Sequence, residues 1–387
     1  MSVLYITNKP IYPMVDGGCV AMSSFLNHLI NIHSKIDHLT IATHKHPFNV
    51  KEYKEVFGDR INIYSIYVNT KISVFKAFVN LFSSSSYNVI RFFSAEFEEK
   101  LIELLKLEHE VIYIESIFLL PYLTTIRTNS KAKVILRAPN IEFKIWENHS
   151  DKIKNPIKKI YLRHLTNKLK NFEIKQFKRV DGILSISNID TAFINNLNPN
   201  KPLLHLPFSI KTEPATTILK NHFFFIGAYN WKPNLDAVEY LIQVLFPEIL
   251  KKNPSAQLHI AGSYTPSFLY KYQNESIRIY GKVDSVKDFM KNHGILLAPI
   301  FSGSGVRIKI LEALSYGIPV IGSEIAIQGI ESKACFIADN VKDYLNQIEM
   351  ISESTIFEIQ QEALDYINSN YHPTEIEKKL NAFISSC

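Results

Sequence analysis

The stretch from Gly294 to Ser323 limits the possible folds of this 387-residue chain more than any other. Its apolar run Ile295 to Ile300 predicts a buried strand, and the Phe-Ser-Gly-Ser-Gly sequence after it predicts a tight loop. Apolar residues then recur at helical spacing, at Val306, Ile310, Leu311 and Leu314. The helix ends before Gly317, and the apolar run Ile318 to Gly322 predicts the next strand. This order predicts a βαβ unit with its loop at the carboxyl edge of a parallel sheet, where such folds bind ligands.

The loop combines features that suit an anion. Gly303 and Gly305 let the backbone approach a ligand closely. The start of the predicted helix directs its free N–H groups and its positive dipole end into the loop. Arg307 and Lys309 add two full charges, so we interpret the loop as a diphosphate site, with Glu312 as an acceptor for ribose hydroxyls. The alternative is a plain turn followed by a solvated helix face.

The sequence GSGVRIKILEALSYGIPVIGS resembles the donor-binding segment of the retaining, nucleotide-sugar-dependent glycosyltransferases of the GT-B fold, called glycosyl transferases group 1. The shared pattern is G-x-G-x-R-x-K-x-L-E-A-x-x-x-G-x-P-V-[IV]. In many relatives a glutamate stands eight residues before the one that matches Glu312, and here that position is Ser304. The resemblance implies an α/β chain with two Rossmann-like, doubly wound domains facing a central cleft.

We predict a domain boundary at Leu206 to Asn221, a segment with two prolines, several polar residues and little periodicity. An acceptor-side domain then spans residues 1–207, and a donor-binding domain spans 208–370. In the GT-B fold the last helix crosses back, so we expect residues of about 371–387 to pack on the first domain.

Short β-type runs alternate with helical stretches along both halves, which is typical of doubly wound parallel sheets. In the first half they lie at Val3–Thr7, His38–Thr43, Ile61–Ile66, Val111–Glu115, Lys133–Arg137 and Gly182–Ser187. In the second half six runs predict one Rossmann-like sheet, with a fully apolar strand beginning at His222.

The resemblance extends to three further parts of the donor site. Gly17 and Gly18, after the first strand, resemble a P-x-x-G-G turn that faces the donor diphosphate. The sequence from Gly227 resembles the G-x-x-x-W-x-P-N element, in which we expect Asn234 to cap a helix, Trp231 to pack and Lys232 to neutralise phosphate. The residue matching Val283 contacts the nucleotide base through its backbone. The predicted donor-binding residues are Gly17, Gly18, Gly227, Val283, Gly303, Ser304, Gly305, Val306, Arg307, Lys309 and Glu312.

Leu136 to Ser150 resembles the R-x-H-N-x-E-x-x-I-W stretch on the acceptor side of these enzymes. The matching residues are Arg137, Asn140, Glu142, Ile145 and Trp146, and Pro139 replaces the histidine. Asn140 and Glu142 therefore remain as polar candidates, with Glu142 as a base or an acceptor-binding carboxylate, and a structural role for it as the alternative. We predict Arg307, Lys309, Glu142 and Asn140 as the catalytic residues.

The predicted activity is transfer of a sugar from a nucleotide-diphosphate sugar to a glycan, lipid-linked or polysaccharide-precursor acceptor, with retention of configuration. The sequence has no D-x-D motif, so we expect no metal and no cofactor beyond the sugar nucleotide. Two alternatives stay open: a nucleotide-sugar epimerase or hydrolase, and a catalytically silent scaffold subunit of a glycan assembly complex.

The stretch Lys152 to Arg179 carries ten Lys or Arg residues and one acid, Glu173, with apolar residues between them. As a basic amphipathic helix it predicts either a solvated face or contact with an anionic membrane surface. Ile72 to Phe82 predicts an apolar face for core packing or for a lipid-linked acceptor. We find no nucleic-acid module.

The cellular location of the protein is predicted from its first residues, its cysteines and its net charge. The start MSVLYITNKP lacks the pattern of a signal peptide, and the three cysteines lie far apart, which fits a reducing compartment and argues against structural zinc. The net charge of +6 suits an anionic substrate or surface. We therefore expect a cytoplasmic protein, peripheral to the inner face of the membrane if the basic helix binds lipid.

Overall fold

A computed structural model of the chain describes residues 2–14, 16–71, 73, 80, 83, 86–151, 153, 155–198, 200–215, 217–303 and 305–387. The predicted loop residue Ser304 lies outside the described residues, as do Ile72, Phe75, Phe78, Val79 and Phe82 of the predicted apolar face. The chain divides into two compact units. The first unit is Met1–Ser209 with Ile376–Cys387, and the second is Ile210–Glu375.

The first unit contains a parallel sheet of seven strands in the order β3-β2-β1-β4-β5-β6-β7. Its strands are β1 Ser2–Thr7, β2 Lys35–Ala42, β3 Asn62–Tyr67, β4 Val111–Glu115, β5 Lys133–Ala138, β6 Gly182–Ser185 and β7 Leu203–His205. Its helices are α1 Gly17–Ile32, α2 Val50–Phe57, α3 Tyr87–Ile90, α4 Ala95–Leu105, α5 Leu123–Asn129, α6 Glu142–Asp151, α7 Pro156–Phe177 and α8 Asn188–Leu197, with 3₁₀ turns at Gly58–Arg60 and Ile117–Tyr122.

Both faces of this sheet are covered, which explains why the central strands β1 and β4 are mostly apolar. Successive residues of a strand point to opposite faces. Accordingly, Leu4 and Ile6 belong to one buried cluster, and Val3 and Tyr5 belong to the cluster on the other face. The last helix, α16 Pro373–Ser386, contributes four residues to the second of these clusters: Ile376, Leu380, Phe383 and Ile384.

The second unit contains a parallel sheet of six strands in the order β10-β9-β8-β11-β12-β13. Its strands are β8 His222–Ile226, β9 Gln257–Ala261, β10 Ile277–Gly281, β11 Ile295–Ala298, β12 Val320–Gly322 and β13 Cys335–Ile337. Its helices are α9 Lys232–Tyr240, α10 Phe246–Lys252, α11 Val286–Asn292, α12 Ile308–Ser315, α13 Glu324–Ile327, α14 Val341–Met350 and α15 Ile356–Tyr371, with a π-helical turn at Leu241–Leu245 and a 3₁₀ turn at Ser267–Tyr272. The predicted α/β class with doubly wound sheets is confirmed.

The strand order of the second sheet locates its ligand-binding edge. After β8 the chain moves outward to β9 and β10, then returns to place β11 on the other side of β8. Phe223 of β8 pairs with Ile295 of β11, so both strands end at the same edge. A reversal of this kind leaves a crevice at the carboxyl ends of the two central strands. The predicted glycine loop follows β11 and therefore lies at this crevice.

One feature differs from the expectations. The three-residue strand β7 was not predicted, and the segment after it, from Leu206, contains no helix or strand up to His222 in its described part. In the described part of the chain, no helix has both the length and the apolar character that a membrane span requires.

Candidate functional site

Lys309 and Asn234 meet above the end of β8. Lys309 Nζ donates a hydrogen bond to Asn234 Oδ1 at 2.8 Å, and Asn234 Nδ2 donates to the carbonyl oxygen of Ala228 at 3.0 Å. The backbone of Gly227 lies directly beneath. A Cβ atom at this position would be 2.6 Å from Asn234 Nδ2 and 2.8 Å from Lys309 Nζ. Glycine is therefore required here, because any side chain would displace the other two.

The loop after β11 folds around the guanidinium of Arg307. Gly303 and Gly305 have φ values of 104° and 84°, which favour glycine. Arg307 Nη1 donates to the carbonyl oxygen of Gly305 at 2.8 Å, and the guanidinium carbon lies 5.4 Å from the ring centre of Trp231. A Cβ on Gly303 would lie 2.9 Å from Trp231, so the loop packs closely on that ring. Arg307 is only 6% exposed, and these contacts fix the position of its charge.

The start of α12 presents backbone donors beside these charges. Arg307 is the N-cap residue of this helix, and its side chain makes no capping hydrogen bond. The first N–H groups of a helix have no partner within the helix and attract anions. The eight-residue helix, Arg307 and Lys309 therefore converge on the loop that contains Gly303 and Gly305.

Without a bound anion, burial raises the free energy of the protonated form of Lys309. Burial, and then the charge of Arg307, lower the pKa of Lys309 from 10.5 to about 7, against the opposing effect of Glu312. Lys309 Nζ also lies over the ring of Phe225, 4.2 Å from its centre. Burial raises the pKa of Glu312 from 4.5 to about 7, and Lys309 opposes this shift. An anion at the loop would stabilise the protonated form of Lys309.

Two predictions for the loop after β8 are wrong. Asn234 does not cap a helix, because α9 begins at Lys232 with Trp231 as its N-cap residue, and Pro233 favours this early start. Lys232 is 72% exposed and forms an ion pair with Asp236 of its own helix instead of contacting the loop residues. The sequence thus identified the segment but missed the role of Asn234 as the partner of Lys309.

Two other residues predicted to bind the donor, Val306 and Val283, lie in different loops of the second unit. Val306 is half-buried in the glycine loop, where a Cβ on Gly329 would lie 3.8 Å from its Cγ2. Val283 is half-buried in the loop between β10 and α11, and β10 is the edge strand two positions from β8. Its loop lies at the carboxyl edge of the same sheet.

Gly17 and Gly18 form the first turn of α1, the helix that follows β1. Asp16 is the N-cap residue, accepts a hydrogen bond from the N–H of Cys19 at 2.9 Å, and forms an ion pair with Lys9 at 2.6 Å. A Cβ on Gly18 would lie 3.0 Å from Lys9 Nζ. Both glycines are exposed.

In the first unit, Asn140 and Glu142 lie together at the start of α6. Burial raises the pKa of Glu142 from 4.5 to about 7, and a hydrogen bond from Asn140 opposes this shift. Glu173 of α7 accepts hydrogen bonds from the N–H groups of Glu142 at 3.1 Å and Phe143 at 3.0 Å. It therefore caps α6 from a neighbouring helix. The sequence showed Glu173 only as the single acid in a basic stretch.

Arg137, which also matches the acceptor-side motif, has a structural role. It is 1% exposed, and its Nη1 atom lies 2.5 Å from Glu115 Oε1. Its Nη2 atom donates to the carbonyl oxygen of Ala21 at 3.2 Å. The opposite oxygen of Glu115 accepts a hydrogen bond from Tyr5 at 2.7 Å. Arg137 therefore joins β4, β5 and α1 inside the first unit.

No group of three or more His, Cys, Asp or Glu side chains suited to a metal ion occurs among the residues described. Among the described residues, Cys19, Cys335 and Cys387 form no disulfide bond.

Comparison with known proteins agrees with this geometry. Residues 220–354 match the family model for Glycosyl transferases group 1. The chain has the GT-B fold. No curated protein sequence matches the chain.

Three solved structures illustrate the likeness of fold. A TarM mutant from S. aureus, in complex with fondaparinux, α-GlcNAc-glycerol and UDP, has a TM-score of 0.67 at 10% identity, covering 99% of this chain and 100% of that one. Anabaena HepE with UDP and glucose has a TM-score of 0.65 at 11% identity, covering 100% of both chains. The pneumococcal O-GlcNAc transferase GtfA with UDP and GlcNAc has a TM-score of 0.65 at 10% identity, covering 100% of this chain and 99% of that one.

Proposed function

We propose that this protein is a retaining glycosyltransferase that transfers a sugar from a nucleoside-diphosphate sugar to a glycan, lipid-linked or polysaccharide-precursor acceptor without a metal ion. The observation that carries the proposal is the pairing of Lys309 with Asn234 above Gly227, beside buried Arg307. In this proposal residues 208–370 form the donor domain. Residues 1–207 and the helix of about 371–387 form the acceptor-side domain.

Arg307, Lys309 and the start of α12 would act on the leaving group. Breaking the bond between sugar and phosphate develops negative charge on the nucleoside diphosphate. Buried cations and backbone N–H groups stabilise that developing charge more than the charge of the intact donor, which lowers the barrier. Glu312 would accept hydrogen bonds from the ribose, and Val283 would contact the base through its backbone.

Retention is proposed because the loop resembles that of retaining enzymes, whose reaction is thought to occur on one face of the sugar. The leaving phosphate oxygen would then help to remove the proton of the acceptor hydroxyl. Glu142 would serve on the acceptor side, since a carboxyl with a pKa near 7 can exchange a proton at neutral pH. A hydrogen bond from Asn140 would stabilise the carboxylate form of Glu142.

UDP is the nucleotide to test first, because TarM, HepE and GtfA each hold UDP in their structures. A thermal-shift screen of UDP, GDP, ADP and TDP identifies the base, since a ligand that binds only the folded state raises the melting temperature. The matching UDP-sugars then serve as donors in a transfer assay. Activity that persists in EDTA is expected.

The variants Arg307→Ala and Lys309→Ala test the function itself. We expect each to lower turnover at least tenfold while its melting temperature stays near that of the wild type. Lys342→Ala, at an exposed position on α14, is the control for loss of one positive charge. Unchanged kinetics in both site variants would remove the diphosphate assignment. Rapid release of nucleotide from donor alone would favour a hydrolase, and tight nucleotide binding without transfer would favour a scaffold.

We further propose contact with an anionic membrane surface through α7. Ile157 and Ile160, near the start of this helix, are 80% and 70% exposed. They lie beside Lys158, Lys159 and Arg163. Apolar side chains flanked by cations are the composition that binds the headgroup region of anionic bilayers.

A further inference from the structure

A basic cavity of about 630 Å³ opens at the carboxyl edge of the first sheet. Its walls are the segments that follow three adjacent strands: Asn8 and Lys9 after β1, residues 43–46 after β2, and Thr70 and Lys71 after β3. Arg91, after α3, closes another side. The cavity lies wholly within the first unit. Lys309 belongs to the second unit.

The charges that line this cavity have one sign. Lys9, Lys45, Lys71 and Arg91 supply four cations, two histidines accompany them, and no carboxylate of the described residues lines the wall. Asp16 balances Lys9 at 2.6 Å. In the part of the chain that the structure describes, Lys45, Lys71 and Arg91 form no ion pair.

Arg91 is held in place by its surroundings. It is half-buried, its Nε atom donates to the carbonyl oxygen of Asn88 at 3.3 Å, and its guanidinium carbon lies 5.2 Å from the ring centre of Phe92. Burial lowers its pKa, so its charge carries a cost that a bound anion would relieve. The hydroxyl-bearing residues Thr43 and Thr70 add neutral hydrogen-bonding groups to the wall.

Cations also line a cavity of about 650 Å³ beside α7, but there Lys168 donates a hydrogen bond to Asn80 and Arg179 donates one to Gln176. A third cavity of the first unit, of about 810 Å³, is lined by Glu108 and Glu110 as well as by Arg127, Lys131 and Lys133. Its two carboxylates offset part of the charge of its three cations. In the cavity at Lys71, three of the four cations have no carboxylate partner among the described residues. A ligand with at least two negative charges matches three uncompensated cations.

We propose that this cavity binds a phosphate-bearing group of the acceptor. The inference rests on the proposed function, because it assigns an acceptor to a sugar transferase. Arg and Lys side chains around one void suit phosphate oxygens, which accept several charge-assisted hydrogen bonds at once. The donor diphosphate has its own cations in the second unit, Arg307 and Lys309. A phosphodiester in a glycan chain and the diphosphate of a lipid-linked sugar share this chemistry.

The test is a titration of the full chain by calorimetry, in low salt, with UDP held at a saturating concentration. Two probes separate the sources: inorganic pyrophosphate stands for the diphosphate, and bis(glycerol) phosphate stands for the phosphodiester. The variant is Lys45→Gln/Lys71→Gln, which changes two exposed residues. The control is Lys106→Gln/Lys342→Gln, which removes the same charge from exposed positions outside the cavity. Affinity for UDP is measured separately in all three proteins.

We expect at least one probe to bind the wild type and to bind the cavity variant at least tenfold more weakly, with the control and the UDP affinity unchanged. The tighter probe identifies the source of the phosphate. Equal probe affinity in variant and wild type, or no probe binding at all, would overturn the proposal. A matching loss of UDP affinity would also overturn it, because the cavity would then serve the donor. Failure of the wild type to bind UDP refutes the proposed function and leaves the probe result readable.

Discussion

Lys309 Nζ donates a hydrogen bond to Asn234 Oδ1 at 2.8 Å, which joins the first turn of α12 to the first turn of α9. The two residues are separated by 75 positions in the sequence. The contact holds the ammonium group over Gly227 at the end of β8, and Asn234 is itself fixed through Ala228. The position of the charge, rather than its presence alone, is therefore a property of the fold.

Asn234→Ala should weaken nucleotide binding without unfolding the protein. The change removes the acceptor that positions Lys309, so we expect the dissociation constant for UDP to rise about tenfold. Lost hydrogen bonds should lower the free energy of unfolding by about 1 to 2 kcal/mol. Calorimetry and thermal melting measure both effects. Asn292→Ala, whose exposed side chain donates to Asp288 on α11, is the control. UDP affinity equal to that of the wild type would show that Asn234 does not position the cation.

Gly227→Ala should have a steric effect on the same pair. The added methyl group would lie 2.6 Å from Asn234 Nδ2 and 2.8 Å from Lys309 Nζ, so both side chains must move. We expect UDP affinity to fall at least tenfold. Gly322→Ala adds a methyl group to β12 of the same sheet, where the nearest atom is the carbonyl oxygen of Ala298 at 3.2 Å. That control should lose some stability and keep its affinity. Equal effects of the two variants on affinity would count against the assignment.

The advantage that Lys309 gives to UDP binding should decrease with rising pH. Its pKa in the free protein is lowered to about 7, so above this pH the lysine must take up a proton to bind the diphosphate. We expect the ratio of dissociation constants, Lys309→Gln over wild type, to be largest at pH 6 and to fall by pH 8.5. Because the ionisation of UDP changes both dissociation constants equally, its effect cancels in this ratio. Lys309→Arg, which stays charged, should show no such fall. A ratio independent of pH would contradict the prediction.

Stability should depend on pH through Glu173. Burial is the main cause that raises the pKa of this buried carboxyl from 4.5 to about 8, and the carboxylates of Glu142 and Asp190 contribute. The folded state therefore holds a proton that the unfolded state releases between about pH 4.5 and 8, and stability falls as pH rises through this window. We expect the melting temperature of the wild type, relative to Glu173→Gln, to decrease from pH 5 to pH 8.5. Parallel curves would refute this.

Binding of α7 to anionic lipid should need its exposed apolar residues. We expect the protein to sediment with vesicles of phosphatidylglycerol at low salt and to be released by high salt. Ile157→Asp/Ile160→Asp should lose most of this binding. Phe357→Asp, at a site on α15 that is 73% exposed, is the control. A wild type that stays in the supernatant would remove the membrane proposal.

Local sequence patterns predicted most of the second sheet because its strands are short apolar runs bounded by glycine or polar residues. The loop containing Gly303 was predicted from its glycines, and the helix after it was predicted from the spacing of its apolar residues. The strand β7 was missed because Pro202 and Pro207 flank its three residues, so Leu203–His205 resembles a linker in sequence. Only its pairing with β6 makes it a strand.

The missed contacts of the site are tertiary. Asn234 looked like a helix cap because it precedes an amphipathic run, but Pro233 starts the helix earlier and frees the amide for Lys309. Glu173 caps a helix that begins 31 residues before it, and no local pattern encodes that distance. The charges of the site were visible in the sequence, whereas the residues that orient them required the fold.

A crystal structure with bound UDP tests the central claim most directly. The account predicts that the β-phosphate oxygens lie within hydrogen-bonding distance of Lys309 Nζ and of the backbone N–H groups at the start of α12, with Arg307 beside them. Diphosphate bound elsewhere, with Arg307 and Lys309 making no contact to it, would contradict the account.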